Sequence, residues 1–412
     1  MRAVRWAAAT AVVGLAAGLV SLALALLSVG AEGLYREQPA FLAALPLVGV
    51  ATVALYKRLK IPFDTDAPNV LDRLRGDRPV NGTLVAGLLV CVPLANLGGC
   101  SVGREAAGLQ MGAALVGPLA RVAGGREGDA RILMMAGMAA MVGSLLYTPL
   151  AAAVFVIEIC HLKRAEVLDA RLLAVPCAAA IAYAVTSAFS VGRIEIASVA
   201  CPDVPLAWGT AALVGAACAA LGLAFVFCLK SLRTACIKLF DNLYARILVG
   251  AALAMALTLV AGTTDAAGTG GPVVTRLFAG DAPAWWMWAL KFALTAICLA
   301  FGFKGGAIMP LLCVGACAGC ALGQALGLPA LFAAAVGMTA CIASAARSPF
   351  GGFVMALEFF GFAGAPYFAL ASLCGAVAAR RDSLYGGIDW TLDPRRWAFV
   401  RRFVERHKAA RR

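Results

Sequence analysis

Charge is scarce in this sequence: only 14% of its 412 residues are Asp, Glu, Lys or Arg, against 62% apolar. A soluble domain is usually about a quarter charged and about half apolar, so an ordinary pair of soluble domains is excluded. Histidine is nearly absent. The two copies are His161, beside Lys163 and Arg164 in a connector, and His407 in a basic tail. The string Gly99-Cys100-Ser101-Val102-Gly103 spells the G-x-S-x-G nucleophile elbow, but neither histidine falls in an apolar segment where it could serve Ser101 as a base. Ser101 is read as a packed small residue or as part of a solute path. Intramembrane serine hydrolysis is the remote alternative, and the chain is not expected to be an enzyme. The cysteines are plentiful, but they are scattered through apolar runs and form no disulfide framework. Cys313, Cys317 and Cys320 share one helical face with no histidine or carboxylate near them in sequence. No metal or cofactor is expected there, because small side chains are common where membrane helices pack.

What the sequence has is long apolar runs separated by short charged connectors, the pattern of a polytopic membrane protein. The run from Trp6 to Ser28 follows Arg2 and Arg5 and lacks a persuasive cleavage site, so it reads as an anchor. Crossing a hydrocarbon core of about 30 Å takes roughly 20 helical residues. Runs such as 106–120 and 366–379 are shorter, and others are broken at Pro93, Gly98-Gly99, Pro149, Gly305-Gly306, Pro310 and Pro349. A helix end at membrane depth bares N–H groups that lipid cannot satisfy, so it must face protein or a hydrated cavity. Broken segments therefore mark a path for a solute.

The two halves echo each other. Gly103-Arg104-Glu105 leads into a short run of small residues, and Gly302-Phe303-Lys304-Gly305-Gly306 leads into another. Paired interrupted segments of this kind point to a site between inverted repeats. The reading divides the chain into a first membrane repeat at 1–195, a second at 196–380, and a closing segment with a basic tail at 381–412. The net charge of +13 is placed in connectors and tail, which suits anionic headgroups and a cytoplasmic location of both termini in the cell membrane. A nucleic-acid partner is not expected.

A buried anion needs donors, and a helix N-terminus offers bare N–H groups and a partial positive charge. Glu105 stands at such a start. An acid in a membrane segment is a functional candidate by default, since it can occupy an anion site and leave on protonation. The competing reading pairs it with Arg104 or makes it a cap on a wetted surface. Lys304 either raises the potential near the site or snorkels to an interface, the second being the favoured expectation.

Gly103-Arg104-Glu105 followed by Gln110-Met111-Gly112 resembles the G-[K/R]-E-G-P…Q-x-G signature of the chloride channel (CLC) family of anion channels and anion/proton exchangers. GFKGGAIMPLLCVGACAG, DTDAPNVLDRL, YTPLAAAVFVIEI and SPFGGFVMALEF resemble further family segments, in family order and over most of the chain. The resemblance implies an all-α polytopic fold of two inverted-topology repeats of tilted and broken transmembrane helices. It implies a homodimer, halide and protons as transported partners, and Glu105 as the gating glutamate. Thr65, Ala307 and Ile308 fall on anion-coordinating positions, and Arg104, Glu105 and Ala106 at the gate are expected to bind the anion as well. Tyr385 falls on a pore tyrosine, its other reading being an interfacial belt residue.

Departures from the family pattern matter. Asp64-Thr65-Asp66-Ala67-Pro68 has lost the glycines of the selectivity loop, and Ala106-Ala107 replaces Gly-Pro. The internal proton-transfer glutamate would fall at Ile159, so exchange by that route needs Glu158 to substitute. The favoured expectation for Glu158 is a cytoplasm-facing helix end. Chloride is the expected substrate. The G-F-K-G-G run resembles the family's fluoride-transporting branch, which keeps fluoride/proton antiport or fluoride export as the alternative.

Overall fold

The computed structural model describes residues 2–76, 78–117, 128–160, 162, 169–196, 199–202, 206–379 and 383–386. His161, His407 and the basic tail lie outside them. Every regular element among the described residues is helical. The first half contains α1 (Arg2–Glu37), α2 (Leu45–Arg58), α3 (Ala67–Arg75), α4 (Thr83–Leu97), α5 (Glu105–Leu115), α6 (Asp129–Leu146), α7 (Pro149–Ile159) and α8 (Ala174–Ser187). The second contains α9 (Leu206–Leu239), α10 (Leu243–Ala261), α11 (Gly271–Phe278), α12 (Met287–Phe301), α13 (Ile308–Ala325), α14 (Ala330–Ala346), α15 (Pro349–Phe360) and α16 (Ala365–Ala378). Among the described residues, seven helical segments are long and apolar enough to cross a membrane.

The order of elements repeats. Helices α1 and α9 are the longest, at 36 and 34 residues, while α3 and α11 are the short amphipathic ones, at 9 and 8. A helix of about 36 residues is longer than a perpendicular span needs, so α1 must tilt or project. Packing repeats as well: α1 lies on α6 and α8 as α9 lies on α14 and α16, and α5 packs on α6 as α13 packs on α14. These last two crossings bring backbones together. A Cβ on Gly112 would strike the Gly137 backbone, and one on Gly315 would strike the Gly337 carbonyl. Without a hydrophobic drive in lipid, such close approach is what gains dispersion contacts between helices.

Both α6 and α14 end on a left-handed residue, Tyr147 at φ 62° and Arg347 at φ 53°. Pro149 or Pro349 then opens the next helix, since proline at the first turn sacrifices only an N–H that has no partner. The bared amides of α7 and α15 are satisfied reciprocally. Glu358, near the end of α15, accepts from Leu150 N at 3.1 Å and Ala151 N at 2.7 Å. Glu158, near the end of α7, accepts from Phe350 N at 3.2 Å, Gly351 N at 2.7 Å and the Ser348 hydroxyl. The expectation of a cytoplasm-facing Glu158 is thereby corrected: the side chain is buried, because two helix starts inside the fold need acceptors.

Candidate functional site

The loops entering α5 and α13 cross at the centre of the fold. Gly103 N donates to Gly306 O and Gly306 N to Gly103 O, both at 2.7 Å, forming a single antiparallel bridge. Glycine is required at this crossing. A Cβ on Gly306 would come within 2.5 Å of the Ala106 Cβ, and one on Gly103 within 2.9 Å of the Pro310 ring. The bridge brings together the starts of α5 and α13, the two interrupted helices singled out in the sequence. Arg104 and Ala307 enter them with φ −103° and −99°.

Glu105 is 2% exposed and is the first residue of α5. Arg104 Nε stands 3.9 Å from Oε1, too far for a hydrogen bond, and Oε2 has no partner at all. Arg104 itself is buried and donates from Nη2 to Gly192 O at 2.8 Å. The acid thus faces the opposite helix start and keeps spare acceptor capacity, rather than capping a wetted surface.

Residues of these helix starts line two cavities. One of about 550 Å³ is lined by Glu105, Arg104, Met309, Arg193, Thr269 and Glu32 among others. The other, also about 550 Å³, gathers Thr65, Ala106, Gln110, Lys304, Ala307 and Tyr385. Glu105 and Ala106, adjacent in α5, thus line different cavities. Ile308 is fully buried at the first position of α13 and lines neither cavity.

Tyr385 is 3% exposed and packs edge-on against Phe155 of α7, with centroids 5.7 Å apart. That burial argues against a lipid-interface belt. Its segment is held by Arg75, whose Nη2 donates to Tyr385 O and Ile159 O, each at 3.0 Å. Lys304 does not snorkel. It is buried, donates to Phe63 O, and lies 4.1 Å and 4.4 Å from the ring centres of Phe63 and Tyr56. Polar and π partners inside the fold replace the water it would have reached. Ser101 is buried with its hydroxyl 2.8 Å from Thr295 Oγ1, and no base stands beside it among the described residues.

Sequence reading overlooked Arg75 and left the role of Gln110 unassigned. Gln110 donates to Ala106 O at 3.2 Å and presents a buried, unpartnered Oε1 in the cavity lined by Tyr385. Its place four residues after Ala106, about one turn on and on the same face, was the available signal.

Residues 48–380 match the family described as voltage gated chloride channel. A chloride/fluoride channel protein of Pseudomonas syringae pv. tomato is 31% identical over 393 residues, covering 92% of this chain and 85% of that protein. The crystal structure of a CLC-type fluoride/proton antiporter superposes with a TM-score of 0.85 at 24% identity, covering 92% of this chain and 96% of the other. A slow cyanobacterial chloride/proton antiporter gives a TM-score of 0.77 at 18% identity, over 91% and 94% of the two chains.

Proposed function

This chain belongs to the voltage gated chloride channel family, whose transport of anions across membranes it shares, and on that premise we propose that it moves a small halide past a gate formed by Glu105. The observation that carries the reading is the Gly103–Gly306 bridge with a buried, half-unpartnered carboxylate beside it. Two amide-rich helix starts face a space where an anion and that carboxylate compete. Deprotonated, Glu105 takes the site; protonated, it gives the site up. Thr65, Ala106, Ala307 and Tyr385 line the cavity from which the anion approaches, and Ile308 supports the backbone from behind.

Between the two halides, fluoride is the reading we favour and chloride the second. The relative at 31% identity bears both names. Fluoride is the harder, more strongly hydrated ion, and the cavity offers a hard donor in the Thr65 hydroxyl. For proton movement we assign Glu105 and withdraw Glu158, whose two oxygens are taken up by three donors.

The basic connectors around Arg73, Arg75, Lys230 and Arg233 support a cytoplasmic mouth for the cavity containing Tyr385, with both chain ends on that side. Two repeats divided near residue 195 and a homodimeric assembly complete the proposal. No catalytic role is assigned to Ser101. The decisive experiment is efflux of fluoride and of chloride from vesicles holding the purified protein, with external pH recorded at the same time. Fluoride efflux exceeding chloride efflux supports the first reading, the reverse order the second. Efflux of neither sinks the proposal.

A further inference from the structure

The loop that carries Thr65 has no glycine, and none of residues 61–66 takes a positive φ. Such a loop cannot fold its amides around an ion by left-handed turns. It is held from outside by cations of the second half. Arg246 of α10 pairs with Asp64 at 2.7 Å, and Arg233 of α9 pairs with Asp66 and donates to Asp64 O at 2.9 Å. The centre of the Phe63 ring is 5.2 Å from the Arg246 guanidinium and 4.1 Å from the Lys304 ammonium, and Lys304 also donates to the Phe63 carbonyl.

Asp64, Asp66, Arg233 and Lys304 all line the cavity that holds Thr65 and Tyr385. Two carboxylates on an anion's route would repel it unless each is neutralised. Resting on the anion-transport reading above, we infer that Arg233, Arg246 and Lys304 act as positioning residues: they clamp the Thr65 loop across the two halves and cancel its carboxylates, and so set anion affinity on this side of Glu105. The clamp does with ion pairs what backbone amides of a glycine loop would do by geometry.

Asp66 also caps α3, accepting from Asn69 N at 3.0 Å. Asparagine caps as well as aspartate does, so Asp66→Asn removes the charge and keeps the cap. The test is halide efflux from vesicles against internal halide concentration, for the full chain and three variants. Arg233→Ala is expected to raise KM at least tenfold with maximal rate changed less than threefold, because a bare carboxylate is left on the route. Arg233→Ala combined with Asp66→Asn is expected to return KM to within threefold of the parent. Asp66→Asn alone is expected to lower it.

A merely structural ion pair would predict the opposite for the double variant, since it restores no bond. An unchanged KM in Arg233→Ala, or a double variant as impaired as the single, overturns the clamp. If the parent protein moves no halide, the transport reading falls. The clamp is then judged by calorimetric titration of fluoride and chloride into the detergent-solubilised proteins, where the same order of affinities must appear for it to stand.

Discussion

Arg104 and Ala307 lead into α5 and α13 with φ −103° and −99°, and each is preceded by a bridging glycine. The next residue is Glu105 in one half and Ile308 in the other. Away from this centre the halves agree even in their carboxylates, Glu158 capping α15 as Glu358 caps α7. Shared side chains build the scaffold, and the divergent ones confer a direction on it. A buried acid on one side only makes the two cavities unequal. Chemistry is concentrated where the repeat is broken.

The strongest test removes that inequality. Glu105→Gln mimics the protonated acid, and halide efflux from vesicles is expected to lose its pH dependence, remaining at its acidic-side value from pH 5 to pH 8. Retained dependence would assign the gate elsewhere.

The symmetric carboxylates should behave differently. Glu158→Gln leaves an amide oxygen in place of a carboxylate accepting three hydrogen bonds, which costs about 1–2 kcal/mol. Thermal unfolding in detergent is expected to shift down by a few degrees while the pH profile of efflux stays as in the parent. A changed pH profile would return Glu158 to the proton path. Tyr385→Ala opens space beside Phe155 and removes a donor, and the fluoride-to-chloride efflux ratio is expected to change several-fold. A parental ratio would make Tyr385 a packing residue only.

Much of the centre was legible in the sequence because its signals are local. Glycine beside charge inside apolar runs is a conflict visible along the chain, and it pointed to Glu105, Gly103 and Gly306 together. The proposed boundary near residue 195 falls between the end of α8 at Ser187 and the start of α9 at Leu206. Helix α11 was not legible: eight amphipathic residues after Thr269-Gly270 make no apolar run, and their partners lie on α13. Lys304 was misjudged because the Tyr56 and Phe63 faces that receive it are far away in sequence. Glu158 was misjudged for the same reason. A cap read along the chain is sought within four residues, and its partners here are in the other half.

That exchange of caps has a consequence for biogenesis. When the ribosome has delivered α7, the amides of Leu150 and Ala151 have no acceptor, because Glu358 has yet to be synthesised. Inside lipid such amides are costly to leave bare. The first half must therefore wait, wet or chaperoned at this corner, until α15 has been inserted beside it, and a polypeptide truncated before residue 358 would lack the acceptor that finishes α7.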